Sequence, residues 1–99
     1  MVQVNRREIV DTLGSLRQEL AARFKVTSIG MFGSVARNEQ SSTSDVDLLV
    51  EFEESADLFD FVGAAQYIEE ALGFKVDLVP ARALRAELKA PVEQELIRI

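Results

Sequence analysis

One short segment limits what this chain can become. Met31 to Phe52 reads MFGSVARNEQSSTSDVDLLVEF: an apolar run ends in Gly33-Ser34, a polar connection follows, and a second apolar run opens on Asp45-Val46-Asp47. Alternation and β-branched content make both apolar runs strands. Residues i and i+2 of a strand point to one face, so Asp45 and Asp47 stand side by side. Two such carboxylates repel unless they are solvated, share a proton or hold cations. Mg²⁺ suits them, because it takes oxygen ligands and is usually held by one or two carboxylates plus substrate phosphates. A pair that bridges ions ~3.5–4 Å apart supports two-metal phosphoryl transfer.

The turn suits the other half of such chemistry. Gly33 reaches backbone angles closed to other residues and lets a phosphate approach the chain. Ser34 adds a hydroxyl. A helix begun at Val35-Ala36-Arg37 directs free N–H groups at an anion, and Arg37 offers a forked donor. Ser44 either contacts phosphate or caps the turn before Asp45. Phe74 to Val79 alternates and stops at Pro80, which reads as a third strand. Its Asp77 is a further metal ligand or a general base, provided this strand neighbours the one with Asp45 and Asp47. Each feature alone has a plainer reading: a solvated strand start, an ordinary turn, an exposed edge residue. Their order along the chain is the stronger signal.

That order resembles the polymerase-β-like nucleotidyltransferases, whose pattern is filled here by Phe32, Gly33, Ser34, Asp45, Val46, Asp47 and Leu48. GSVARNEQSSTSDVDLLVEF is more closely similar to the signature of the minimal nucleotidyltransferases, the MNT proteins, and KVDLVP with the segment after it resembles their C-terminal third. Asn38 departs from the glycine usual in that signature. The resemblance implies catalytic and metal-binding roles for Asp45, Asp47 and Asp77, nucleotide binding by Gly33, Ser34, Arg37 and Ser44, two Mg²⁺ ions and ATP as substrate. It also implies a partner, a HEPN-type toxin whose tyrosine receives AMP, with this chain as antitoxin. Two alternatives stay open: an inactive antitoxin that acts by binding alone, and a small-molecule nucleotidyltransferase of the antibiotic-modifying kind.

Composition narrows the chemistry. The 99 residues include neither cysteine nor histidine, so thiolate chemistry and His-based zinc sites are excluded and carboxylates must carry any acid–base or metal work. The formal net charge of −6 argues against strong nucleic-acid binding. No apolar run approaches the ~20 residues of a membrane helix, and the first residues do not read as a secretory signal. The expectation is a cytoplasmic protein of one domain, free to form homo- or hetero-oligomers.

The remaining chain predicts an α/β (α+β) fold, with about three strands in a small mixed sheet, helices on one face and the aspartates on an open one. Asn5 caps a helix to Arg23 that buries Ile9, Leu13, Leu16 and Leu20. Arg6, Arg7 and Arg17 are read as solvated; Arg23 and Lys25 come nearer to the site. Ser55 or Asp57 caps a second helix to Leu72, closed by Gly73, with a stripe of Leu58, Phe61, Val62, Ala65, Ile68 and Leu72. Phe59 and Tyr67 are assigned to peripheral core. Ala81 to Lys89 forms a short helix and Pro91 starts a last one, with Glu93 and Glu95 exposed.

Overall fold

The computed structural model describes residues 5–39 and 45–99. Helix α1 spans Arg6–Phe24, and the side chain of Asn5 accepts from the Glu8 N–H at its start. Strand β1 (Val26–Phe32) runs into a one-turn helix, α2 (Gly33–Ala36). Strand β2 is Val46–Phe52, helix α3 Leu58–Leu72 and strand β3 Val76–Pro80. A 3₁₀ turn at Ala81–Ala83 leads to helix α4 (Ala86–Glu95) and a two-residue strand, β4 (Ile97–Arg98).

The sheet has four strands in the order β3-β2-β1-β4. β1 is antiparallel to β2 and β4, while β2 and β3 are parallel, joined by α3 as crossover. The fourth strand corrects the expected three. Leu96 to Ile99 is apolar at three of its four positions, which suits a helix end as well as a strand. Only pairing to the edge of β1 settles it, through Gly30 with Arg98 and Met31 with Ile97.

One sheet face carries the core. Ile29 and Met31 of β1 and Val46, Leu48 and Val50 of β2 are buried with Ile9, Leu13 and Leu20 of α1 and Ala64 and Ile68 of α3. The aspartyl cap Asp57 forms a full capping box with Asp60, and Gly73 closes α3 in a left-handed conformation. The buried stripe of α3 is rotated from the expected one. Leu58 and Val62 are 73% and 43% exposed and Phe59 is 87% exposed, whereas Tyr67 packs on the core as expected. Leu58 and Phe59 lie in the first turn of α3 and Val62 in the second.

The two long helices pack on one face, but α4 does not join them. It lies against the other face, where a Cβ on Gly30 would strike the Leu96 side chain. A cavity of about 230 Å³ remains there, lined by Gly30, Leu49, Lys89, Glu93 and Leu96 among others. α4 also runs through Pro91, which was expected to start it. The proline withholds one helical hydrogen bond from the Glu87 carbonyl, tolerable on a surface helix.

Candidate active site

Gly33 is the hinge of the site. Its φ of +80° is a left-handed conformation, and a Cβ there would collide with the carboxylate of Asp47. Glycine is needed on both counts: for the backbone angle and for the space. The turn and the aspartate therefore lie in contact, although 13 residues separate them in sequence. Register explains the contact, since Phe32 pairs with Asp47 across β1 and β2.

The same register brings in the third carboxylate. Asp47 pairs with Asp77 across parallel β2 and β3. In-register residues of neighbouring strands project to one face, so both carboxylates lie on the side away from the core. Asp45 immediately precedes β2. Asp45 and Asp77 are exposed and Asp47 is half-buried. Burial pushes the Asp47 carboxyl above its ordinary value, and the charges of Asp77 and Asp45 push it further; Arg37 opposes them. A carboxylate held uncomfortably by its neighbours is a site that favours a cation. Among the described residues, no three acidic side chains form a metal cage by themselves. Mg²⁺ does not require one, because it completes its shell with water and substrate phosphate. The donor set therefore fits Mg²⁺.

The side of the site opposite the carboxylates is built from α2. Asn38 follows it with φ +59°, the left-handed angle that asparagine tolerates, and donates its N–H to the Val35 carbonyl at 3.1 Å. The departure from glycine at this position leaves the turn intact. Ser34 is half-buried, with its carbonyl accepting from the Glu39 N–H at 2.8 Å. Ser44 lies outside the described residues.

Two residues of this neighbourhood carried no sequence signal. Arg6 is exposed as expected, but its guanidinium donates to the Ala36 carbonyl at 2.9 Å and so ties α1 to the end of α2. Glu95, expected to be exposed, is half-buried and reaches the turn. One of its oxygens accepts from the Gly33 N–H and the other from Arg37, each at 2.9 Å. Arg37 holds the Glu95 carboxyl below the usual range, helped by the Gly33 N–H. Glu95 ends a helix that leads to the sheet edge, and no local pattern marks its target.

Arg23 and Lys25 do not reach the site. Arg23 lies over the Phe24 and Tyr67 rings, 5.2 and 5.1 Å from their centroids. Lys25 caps the C-terminus of α1 and points to Ser55 and Asp60 beside α3. Both sit at the junction of α1 and β1, roughly 20 Å of strand from the Gly33 turn.

A family profile described as a nucleotidyltransferase domain matches residues 13–99. The chain is 38% identical over 99 residues to the protein adenylyltransferase MntA of Thermococcus cleftensis, covering all of both chains. It superposes with a TM-score of 0.75 on a solved structure named for the minimal nucleotidyltransferases, at 38% identity, over 91% of this chain and 95% of that one. A toxin–antitoxin crystallised with AMP-PNP is similar at 27% identity and a TM-score of 0.68, over 96% of this chain and 72% of that one.

Proposed function

The chain belongs to the nucleotidyltransferase domain family, and from that premise we propose that it transfers AMP from ATP to a tyrosine of a HEPN-type toxin, as the antitoxin of the pair. One observation carries this reading: Asp47 lies against the Gly33 turn and in register with Asp77, so anion donors and paired carboxylates form one unit. Similarity to a protein adenylyltransferase and to a toxin–antitoxin crystallised with an ATP analogue supports the direction of transfer and the class of partner.

In this mechanism the Gly33 N–H, Ser34 and Arg37 bind and orient the triphosphate, with Ser44 as a further candidate contact. Asp45, Asp47 and Asp77 would hold Mg²⁺, which neutralises phosphate charge and stabilises the departing pyrophosphate. Asp77 is exposed, so an incoming hydroxyl reaches it. It accepts the tyrosine proton as the phenolic oxygen bonds to the α-phosphorus. The bond from that phosphorus to the bridging oxygen breaks, pyrophosphate leaves with the electron pair, and AMP stays on the tyrosine as a phosphodiester. Positioning supplies much of the rate, because two reactants on a fixed sheet surface react as if intramolecular.

The test is to incubate the chain and its cognate toxin with ATP labelled at the α-phosphate. Label is expected on the toxin, lost with EDTA, with Asp47→Asn, or with phenylalanine at the acceptor tyrosine. An unlabelled toxin with the wild-type chain and Mg²⁺ overturns the reading.

A further inference from the structure

The donors assigned to the triphosphate already have an anion. Glu95 spans the Gly33 N–H and the Arg37 guanidinium with its two oxygens, both at 2.9 Å. A phosphate on this turn would use the same two donors, and like charges exclude each other at that spacing. We propose that Glu95 is a built-in competitor: it closes the nucleotide site in the free protein, and the triphosphate enters by displacing it. This rests on the nucleotidyltransferase reading of the Gly33 turn and adds to it a control over occupancy.

The segment that carries Glu95 is suited to release. Along α4 only Val92 is buried, and Leu88 is 46% exposed. Pro91 removes one of the helix's own hydrogen bonds four residues before Glu95. Elements with few buried contacts open at low cost. Leu96 and β4 stay anchored on β1, so the motion needed is confined to the end of α4. Glu39 also faces Arg37, at 3.4 Å, but it is exposed and makes no contact with the Gly33 N–H.

Competition has a quantitative consequence. The apparent Kd is the intrinsic one divided by the fraction of open molecules. A latch closed about 90% of the time weakens binding roughly tenfold. Glu95→Gln removes the charge and keeps the shape, and Glu93→Gln serves as a control on an exposed residue of the same helix. Binding of Mg²⁺ with a non-hydrolysable ATP analogue, of inorganic tripolyphosphate and of adenosine is measured by calorimetry for the three proteins.

Glu95→Gln is expected to tighten the ATP analogue and tripolyphosphate by about tenfold, with adenosine and Glu93→Gln unaffected. The Gly33 amide resonance should move on substitution, and should move in wild type on nucleotide addition. Equal or weaker analogue binding by Glu95→Gln, with wild type still binding, overturns the latch alone and makes Glu95 a positioning group for Arg37. Failure of both proteins to bind any phosphate overturns the functional reading, and the latch with it.

Discussion

Asp47 shows how one residue of the candidate site costs the fold stability. Its carboxyl sits above the ordinary value because it is partly buried beside Asp77 and Asp45. A raised carboxyl adds stability below its unfolded pKa, and that contribution is lost as pH rises through the folded pKa. Ionised Asp47 thus costs stability at neutral pH in metal-free protein. Asp47→Asn should abolish AMP transfer yet raise the metal-free Tm by a few degrees near pH 7, with a smaller gain near pH 4; thermal melts in EDTA across that range check it. Glu95 has the opposite sign: its lowered carboxyl adds stability above the ordinary carboxylate range, lost as pH falls through its folded pKa. Gly33→Ala meets both a left-handed backbone and the Asp47 carboxylate, so a stability loss of about 1–2 kcal/mol and loss of activity are expected in denaturant melts and the labelling assay.

At the scale of elements, local pattern and tertiary partner divide the work. α1 was legible from its Asn5 cap and its apolar spacing, and β1 and β2 from alternation, because those signals lie within a few residues. Asp45 and Asp47 stood out because their spacing on a strand sets two like charges side by side, and Asp77 because it stands between Val76 and Leu78 in a later strand. The true face of α3, the existence of β4 and the reach of Glu95 depend on which surface each segment meets, and no window of sequence contains that. The rotation of α3 has a measurable consequence. Ile68→Ala removes a fully buried side chain and should cost about 2–5 kcal/mol. Leu58→Ala, in the expected stripe but 73% exposed, should stay within roughly 0.5 kcal/mol. Chemical denaturation of the two variants separates the observed face from the expected stripe. α4 offers a second comparison, since Pro91→Ala restores a helical hydrogen bond. It should stiffen the segment that carries Glu95, slowing amide exchange at Val92 and Gln94.

At the scale of the whole molecule, small size makes the site's electrostatics visible in global stability. Ninety-nine residues carry a net stability of roughly 5–15 kcal/mol. Against that, the like charges at one end of β2 and β3 oppose folding, and the net charge of −6 adds general self-repulsion. A ligand that binds only the folded state at 100 times its Kd adds about 2.7 kcal/mol. For a domain of this size that amounts to a Tm rise of roughly 10–20 °C. Mg²⁺ with an ATP analogue should produce it. Mg²⁺ alone should give a small part, by relieving the carboxylates, and the analogue in EDTA should give almost nothing, because an unscreened triphosphate meets Asp45, Asp47 and Asp77. Asp47→Asn should begin from a higher metal-free Tm and gain less. A wild-type Tm indifferent to Mg²⁺ and nucleotide together would mean that these carboxylates repel one another to no purpose, and that the sheet face they share is not where the triphosphate binds.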